Sequence, residues 1–211
     1  MKRKRIGTAF VAVGAVLVLS ALGVMGFNLC RQERSGVHAE QAMDQLLEQM
    51  PQDRFLATPD VPSVPTGVGE GSQDAAYRQM PEVVIDGVPY IGYLSIPALE
   101  LELPVIGTCS EEELEIAPCR FYGTVYNSNF VIGGHRYRRH FRKLSTLGYG
   151  EQLTFTDIEG NVYSYRLMEQ EVLEPNQAEY LCSGDWDLSL FTCTPGGLTR
   201  VVLRCLRTDV A

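Results

Sequence analysis

Behind Lys2-Arg3-Lys4-Arg5 the chain runs apolar from Ile6 to Leu29, with Thr8, Ser20 and Asn28 as its only polar side chains. A helix over those residues would be about 36 Å long, enough to cross a hydrocarbon core of about 30 Å. The four cations would hold its start on the cytoplasmic side and send everything after Leu29 outward. The rival is a cleaved signal peptide. Against it, no small-x-small site follows the run, and the run is long for a signal core. Phe27-Asn28-Leu29 also lacks the small residue expected before a lipidated Cys30. We therefore expect a cytoplasmic segment at 1–5 and an uncleaved anchor at 6–29. No second long apolar stretch occurs, so the chain is expected to cross once, in the cell membrane, and to end shortly after its last strand.

Beyond residue 30 the chain carries 14 Lys and Arg against 26 Asp and Glu. So acidic an outer portion argues against nucleic acid as a partner, because phosphate binding needs a basic face. Of the six cysteines, Cys30 lies at the membrane edge and Cys193 has a chemical context taken up below. Cys109, Cys119, Cys182 and Cys205 can form two disulfides in three pairings, or remain buried thiols. Cys109 and Cys119 flank an acidic helical turn and can be bridged. No CxxC pair and no His-plus-Cys cluster at ligand spacing is present, so no structural zinc, metal or cofactor is expected.

Residues 30–82 divide into a helical pattern and a linker. Val37, Ala42, Met43, Leu46, Leu47 and Met50 approximate a helical stripe. Pro51 to Pro81 is rich in Pro, Gly, Ser and Asp without periodicity, and is expected to give a folded domain reach above the membrane. The domain itself, residues 83–211, consists of short alternating segments. Tyr90–Ile96 alternates and stops at Pro97, and Leu101–Gly107 holds an edge-type proline. Ser110 caps an acidic helix start at Glu111-Glu112-Glu113. Asn129–Gly134, Gln152–Thr156, Asn161–Val172, Ser189–Thr192 and Arg200–Leu206 read as strands, with Glu159-Gly160 as a hairpin turn. Phe141, Leu144 and Leu147 recur at helical spacing. Several short strands with two small helices predict an all-β fold with short helices, closed as a barrel.

Three of these strands end in reactive side chains. Ser189-Leu190-Phe191-Thr192 delivers Cys193, Ile132-Gly133-Gly134 delivers His135, and Arg200 opens Val201-Val202-Leu203. A thiol attacks a carbonyl only as a thiolate, and an imidazole can exchange that proton. A guanidinium stays charged at any working pH and suits the oxyanion that forms. The pair can rest as ions or as neutral partners, and its titration belongs to both groups. His140 is the competing histidine, but Arg138-Arg139-His140-Phe141-Arg142 looks like a solvated basic face. Arg204 and Arg207 are expected to be ordinary surface arginines. Thr192, beside the thiol, is placed to bind substrate, and Trp186 either lines the substrate groove or packs in the core or rim.

Taken together, these segments resemble the sortases, membrane-anchored cysteine transpeptidases of Gram-positive cell surfaces. The likeness covers about Tyr90 to Leu206. Gly92-Tyr93-Leu94-Ser95-Ile96-Pro97 with Leu103-Pro104-Val105 resembles the family's opening strands, and Gly134-His135-Arg136 its histidine segment. Leu190-Phe191-Thr192-Cys193 resembles the Thr-Leu-x-Thr-Cys signature, with Ser189 replacing the first threonine, and Arg200 matches the arginine. The resemblance implies an eight-stranded barrel. It also implies cleavage of a Leu-Pro-x-Thr-Gly-like signal on secreted proteins, between Thr and Gly, through a thioacyl-enzyme. The acyl group then passes to an amine of cell-wall peptidoglycan. Cys193 would be nucleophile, His135 acid/base and Arg200 the oxyanion or substrate-backbone anchor. The Asp-Pro-aromatic lid motif of pilus-building class C is not matched, since Val61 follows Asp60, and its second anchor is not expected here. That points to a class B or class D-like enzyme.

Two other functions use the same residues. An L,D-transpeptidase-like cell-wall crosslinking enzyme also works with Cys and His, although its arginine typically follows the cysteine more closely than the seven positions here. A non-catalytic anchored barrel would bind a surface partner and leave the thiol idle.

Overall fold

The computed structural model describes residues 2–51 and 79–209, with side chains from Val13 onward. The expected linker falls almost wholly on 52–78, outside the described residues.

Helix α1 runs without interruption over Lys2–Gln49. The anchor and the juxtamembrane stripe are thus one helix. No proline separates them, and Gly36 alone does not break an otherwise helix-forming stretch. Val16, Leu17, Leu19 and Leu22 are each more than half exposed, as suits a helix whose apolar surround is lipid. This stretch is long and apolar enough to cross a membrane. Farther on, Ser35, Ala39, Ala42, Met43, Leu46 and Met50 are buried. Their three- and four-residue spacing makes one helical face. Val37 falls off that face and is exposed, against expectation. Ala42, Leu46 and Met50 pack on Ile85, Tyr90 and Ile106. The folded domain is thus seated directly on this face of the helix.

Among the described residues nine strands follow: β1 (Val83–Ile85), β2 (Val88–Ile96), β3 (Leu101–Ile106), β4 (Cys119–Tyr122), β5 (Phe130–Gly133), β6 (Gln152–Asp157), β7 (Val162–Leu173), β8 (Leu188–Cys193) and β9 (Arg200–Arg207). Their order is β1-β2-β3-β4-β5-β8-β9-β7-β6, and a β2–β6 pairing closes the ring. The barrel therefore has eight strands, with β1 attached outside as a hairpin on β2. Strand β4 escaped the sequence pattern because Arg120 interrupts its four residues, leaving neither the apolar run of β5 nor a readable alternation. Strand alternation fills the interior with Ile91, Leu94, Ile96, Phe130, Ile132, Phe155, Leu190 and Leu203, all fully buried. Phe141 and Leu144, from the 3-10 segment Phe141–Thr146, plug the same core.

Two short helices flank the barrel wall, α2 (Glu111–Leu114) and α3 (Ala178–Leu181). The acidic run opens α2, and the Ser110 hydroxyl accepts from the Glu113 N–H at 3.3 Å. Of the possible pairings, the structure contains Cys109–Cys119, with Cα atoms 5.2 Å apart. Cys30, Cys182, Cys193 and Cys205 are free thiols. Burial pushes the Cys205 thiol up to about 12, so it packs as an inert apolar group.

Candidate active site

Strands β5 and β8 run parallel, with Gly133 beside Phe191 and the Gly134 N–H donating to the Phe191 carbonyl at 3.1 Å. Two residues beyond that pair stand His135 and Cys193. Strand β9 runs antiparallel to β8 and places Arg200 opposite Cys193. Three residues distant in sequence thus meet at one end of the barrel wall. Gly133 and Gly134 are needed for this approach. A Cβ on the first would lie 2.6 Å from the Phe191 ring, and on the second 2.6 Å from the Phe141 ring.

Alternation decides which way the thiol faces. Leu188 and Leu190 enter the barrel core, whereas Phe191 joins the outer cluster of Val131, Leu173, Leu181 and Val202. Cys193 shares the face of Phe191, so its thiol stands on the outer side of the wall. There it lines a groove of about 330 Å³ together with His135, Arg200 and Thr192. Cys109, Ser110, Glu111 and Leu114 form one wall, Leu173, Pro175, Ala178 and Leu181 the other, and Phe121 and Phe191 an apolar base. The Phe121 and Phe191 rings meet edge to face at 5.2 Å.

Each candidate has a distinct setting. His135 is half-buried, and desolvation holds its pKa below the ordinary imidazole value; Arg31 adds to this and Glu111 opposes it. The neutral ring is therefore the favoured form near pH 7, able to accept a thiol proton. The Arg200 guanidinium donates from Nη1 to the carbonyls of Gly197 and Thr199, at 3.3 and 3.2 Å. These anchor it over the tight β8–β9 turn, which the Thr194 N–H closes by donating to the Thr199 carbonyl at 3.0 Å. The Thr192 hydroxyl is buried without a hydrogen-bond partner. Alternation puts Thr192 on the Leu188 and Leu190 face of β8, opposite the thiol, so its hydroxyl points away from the groove that the residue borders.

Trp186 is not brought to this groove. It precedes β8 at the end opposite Cys193, where its carbonyl accepts from the Asn129 N–H at 2.6 Å. Seven residues of extended chain span about 23 Å, and Trp186 is absent from the groove lining. It is only half-buried, so the rim-packing alternative describes it.

Two expected surface residues are also buried. His140 is 2% exposed, its Nε2 lying 3.3 Å from the Ser35 hydroxyl of α1. Arg204 is 1% exposed. It donates to the Glu171 carboxylate at 2.7 Å, to the Ser189 hydroxyl at 2.9 Å, and to the Leu181 and Tyr180 carbonyls at 2.8 and 3.2 Å. The last two are the terminal carbonyls of α3, so Arg204 pins the helix that walls the groove. A signal was present: period-two alternation puts Arg200, Val202 and Arg204 on one face of β9. Glu111 had no comparable signal, because its approach to His135 depends on the loop between β3 and β4. Among the described residues, no group of three or more His, Cys, Asp or Glu side chains is arranged to hold a metal ion.

The family model of the sortase domain matches residues 94–208. The chain belongs to the sortase family. That match spans every strand from the middle of β2 to the end of β9 and contains all three converging residues. No curated protein sequence matches the chain. Among solved structures, sortase C1 from Streptococcus agalactiae is 25% identical, covering 59% of this chain and 70% of its own at a TM-score of 0.53. Sortase A from Corynebacterium diphtheriae is 24% identical over 59% of this sortase, with the same TM-score, and 63% of its own length is covered. A sortase D5 transpeptidase from Clostridium perfringens is 22% identical, covering 60% and 82%, at 0.53. The last two likenesses concern the fold. Near-equal scores across class A, C and D names show a barrel common to the classes.

Proposed function

We propose that this sortase is a single-pass membrane enzyme whose outer domain cleaves a Leu-Pro-x-Thr-Gly-like signal on secreted proteins and joins the product to an amine of cell-wall peptidoglycan. The observation that carries this reading is the register of β5, β8 and β9, which gathers His135, Cys193 and Arg200 at one groove.

The chemistry follows from the settings of these groups. Neutral His135 takes the proton of Cys193, and the thiolate adds to the threonine carbonyl carbon. Charge moves onto the carbonyl oxygen, where Arg200 offers a permanent cation. Collapse breaks the C–N bond, and the departing glycine amine takes the proton from His135. The thioester left on Cys193 then meets an incoming amine, which loses its proton to His135 as the new amide forms. The thiolate departs and recovers that proton, so the enzyme is unchanged over the cycle. The apolar residues Phe121, Phe191 and Leu173 suit the Leu-Pro portion of the signal, and Thr192 borders the groove beside the nucleophile.

The cationic start of α1 supports an amino terminus in the cytoplasm and a barrel outside. The β7–β8 connection holds only the four-residue α3, which favours the class D-like over the class B assignment.

The test uses the full chain in detergent micelles with a fluorogenic Leu-Pro-x-Thr-Gly peptide library and an amine acceptor. Cleavage, with a trapped acyl adduct located on Cys193 by mass spectrometry, is the expected result. Cys193→Ala should abolish it, and Cys182→Ala should largely spare it. Crosslinking of muropeptides without peptide cleavage would favour an L,D-transpeptidase-like enzyme instead. Failure of Cys193 to react selectively with a substrate-mimic probe would favour an idle binding module.

A further inference from the structure

We infer that Tyr137, His140 and Ser35 form a positioning column that sets the orientation of His135 and ties it to the membrane-proximal part of α1. The inference rests on the acid/base role proposed for His135.

The column can be followed ring by ring. The His135 and Tyr137 rings lie 4.7 Å apart, tilted by 32°. Tyr137 and His140 follow at 5.6 Å and 41°. His140 Nε2 then meets the Ser35 hydroxyl at 3.3 Å, and that hydroxyl donates to the Glu115 carbonyl. Because the single serine proton goes to Glu115, the serine oxygen must accept from His140. This fixes the proton of His140 on Nε2 and leaves Nδ1, buried without a partner, as the bare nitrogen. Burial, the charge of His135 and the Ser35 bond together leave the His140 pKa near 4, consistent with a neutral ring.

Backbone bonds make the loop a unit. The His140 N–H donates to the Tyr137 carbonyl at 3.1 Å, and the Phe141 N–H to the His135 carbonyl at 3.2 Å. Helix α1 grips this unit beside the column too. Arg139 pairs with Glu40 at 2.6 Å and with Glu33 at 3.8 Å. A Cβ on Gly36 would overlap the Arg139 side chain. Arg31 donates to Glu115 at 3.0 Å, on the same segment that brings Glu111 toward His135.

Apolar residues at 35 and 140 would fill the same space. What the Ser35–His140 bond adds is direction, and direction is what an acid/base on a half-exposed loop needs. Ser35 lies six residues past Leu29, about 9 Å along the helix, so the column reaches the catalytic loop from just above the apolar run. Groups facing His135 are Glu111 from α2, Arg31 from α1, Cys193 and Arg200 from the strand ends, and Tyr137 and His140 in its own loop.

The experiment compares full-length wild type, Ser35→Ala, Tyr137→Leu and Tyr137→Phe in lipid nanodiscs. Three readouts are taken: kcat and KM on the peptide found above, the His135 imidazole titration by NMR, and the thermal midpoint. Ser35→Ala and Tyr137→Leu should lower kcat by about tenfold to a hundredfold with KM little changed. They should also move the His135 titration midpoint, while Tyr137→Phe, which keeps the ring, should match wild type in both. Unchanged kcat and His135 midpoint in both disruptive variants would overturn the column. So would losses in kcat that track loss of folded protein while the midpoint stays put. Should wild type cleave no peptide, the proposed function fails, and the His135 titration still decides the column.

Discussion

Cys193 and Arg200 are register partners across β8 and β9, joined by a six-residue turn that the Thr194–Thr199 hydrogen bonds close. Their relation is thus set by the sheet and not by a mobile loop. Preorganised charge at a developing oxyanion is worth about 10²–10³ in kcat. Arg200→Ala is expected to lower kcat by that order and leave the thermal midpoint nearly unchanged, because its two bonds go to an exposed turn. Arg200→Lys should recover little, since an ammonium cannot reproduce the fork of donors. Steady-state kinetics on the cleaved peptide, beside calorimetry, checks both.

The second buried guanidinium is structural. Arg204 satisfies Glu171, Ser189 and the two final carbonyls of α3 from a site 1% exposed. Arg204→Met strands the Glu171 carboxylate and the Leu181 carbonyl, whereas the Tyr180 carbonyl keeps its bonds from Ser183. Breaking a buried pair in this way costs about 3–5 kcal/mol, read as a shift in the urea midpoint. Because Ala178 and Leu181 wall the groove, the peptide KM should also rise. A destabilised variant with unaltered KM would show that α3 holds its place without Arg204.

What the sequence made legible, and what it hid, follows one physical division. The candidates Cys193, His135 and Arg200 could be picked out because each stands at one end of an apolar strand, a local pattern. The barrel was visible for the same reason, through alternation in β2, β6, β7, β8 and β9. His140 and Arg204 were misjudged because nothing local buries them. The bond that claims His140 comes from a residue 105 positions away. Those that claim Arg204 come from β7, α3 and β8, between 15 and 33 positions distant. Trp186 was misplaced by sequence proximity, since a strand separates its two ends. The seating of α1 on the barrel combines Ala42, Leu46 and Met50 of the expected stripe with Ser35 and Ala39, small residues that carry almost no hydropathy signal.

The Cys109–Cys119 bridge closes the segment that carries α2 and the Glu111 wall. A loop of this length gains about 2–3 kcal/mol from cross-linking. A thiol-free phosphine reductant should therefore lower the thermal midpoint of wild type and raise the peptide KM. The Cys109→Ser/Cys119→Ser double variant should start at the lowered values and ignore the reductant. Equal sensitivity in both proteins would assign the effect to another thiol.

His140 sets the acid limit of stability. Burial and the neighbouring His135 charge depress its pKa from 6.5 in the unfolded chain to about 4 in the fold. Between those values the unfolded chain binds more protons, so stability falls as pH drops from about 6.5 toward 4 and levels off below that window. At about 1.4 kcal/mol per pH unit the loss is on the order of 3 kcal/mol. The difference between variant and wild type isolates the histidine. His140→Phe removes the titration and should flatten the urea midpoint between pH 6.5 and 4.5 relative to wild type. Parallel pH dependence in the two proteins would place the acid sensitivity elsewhere.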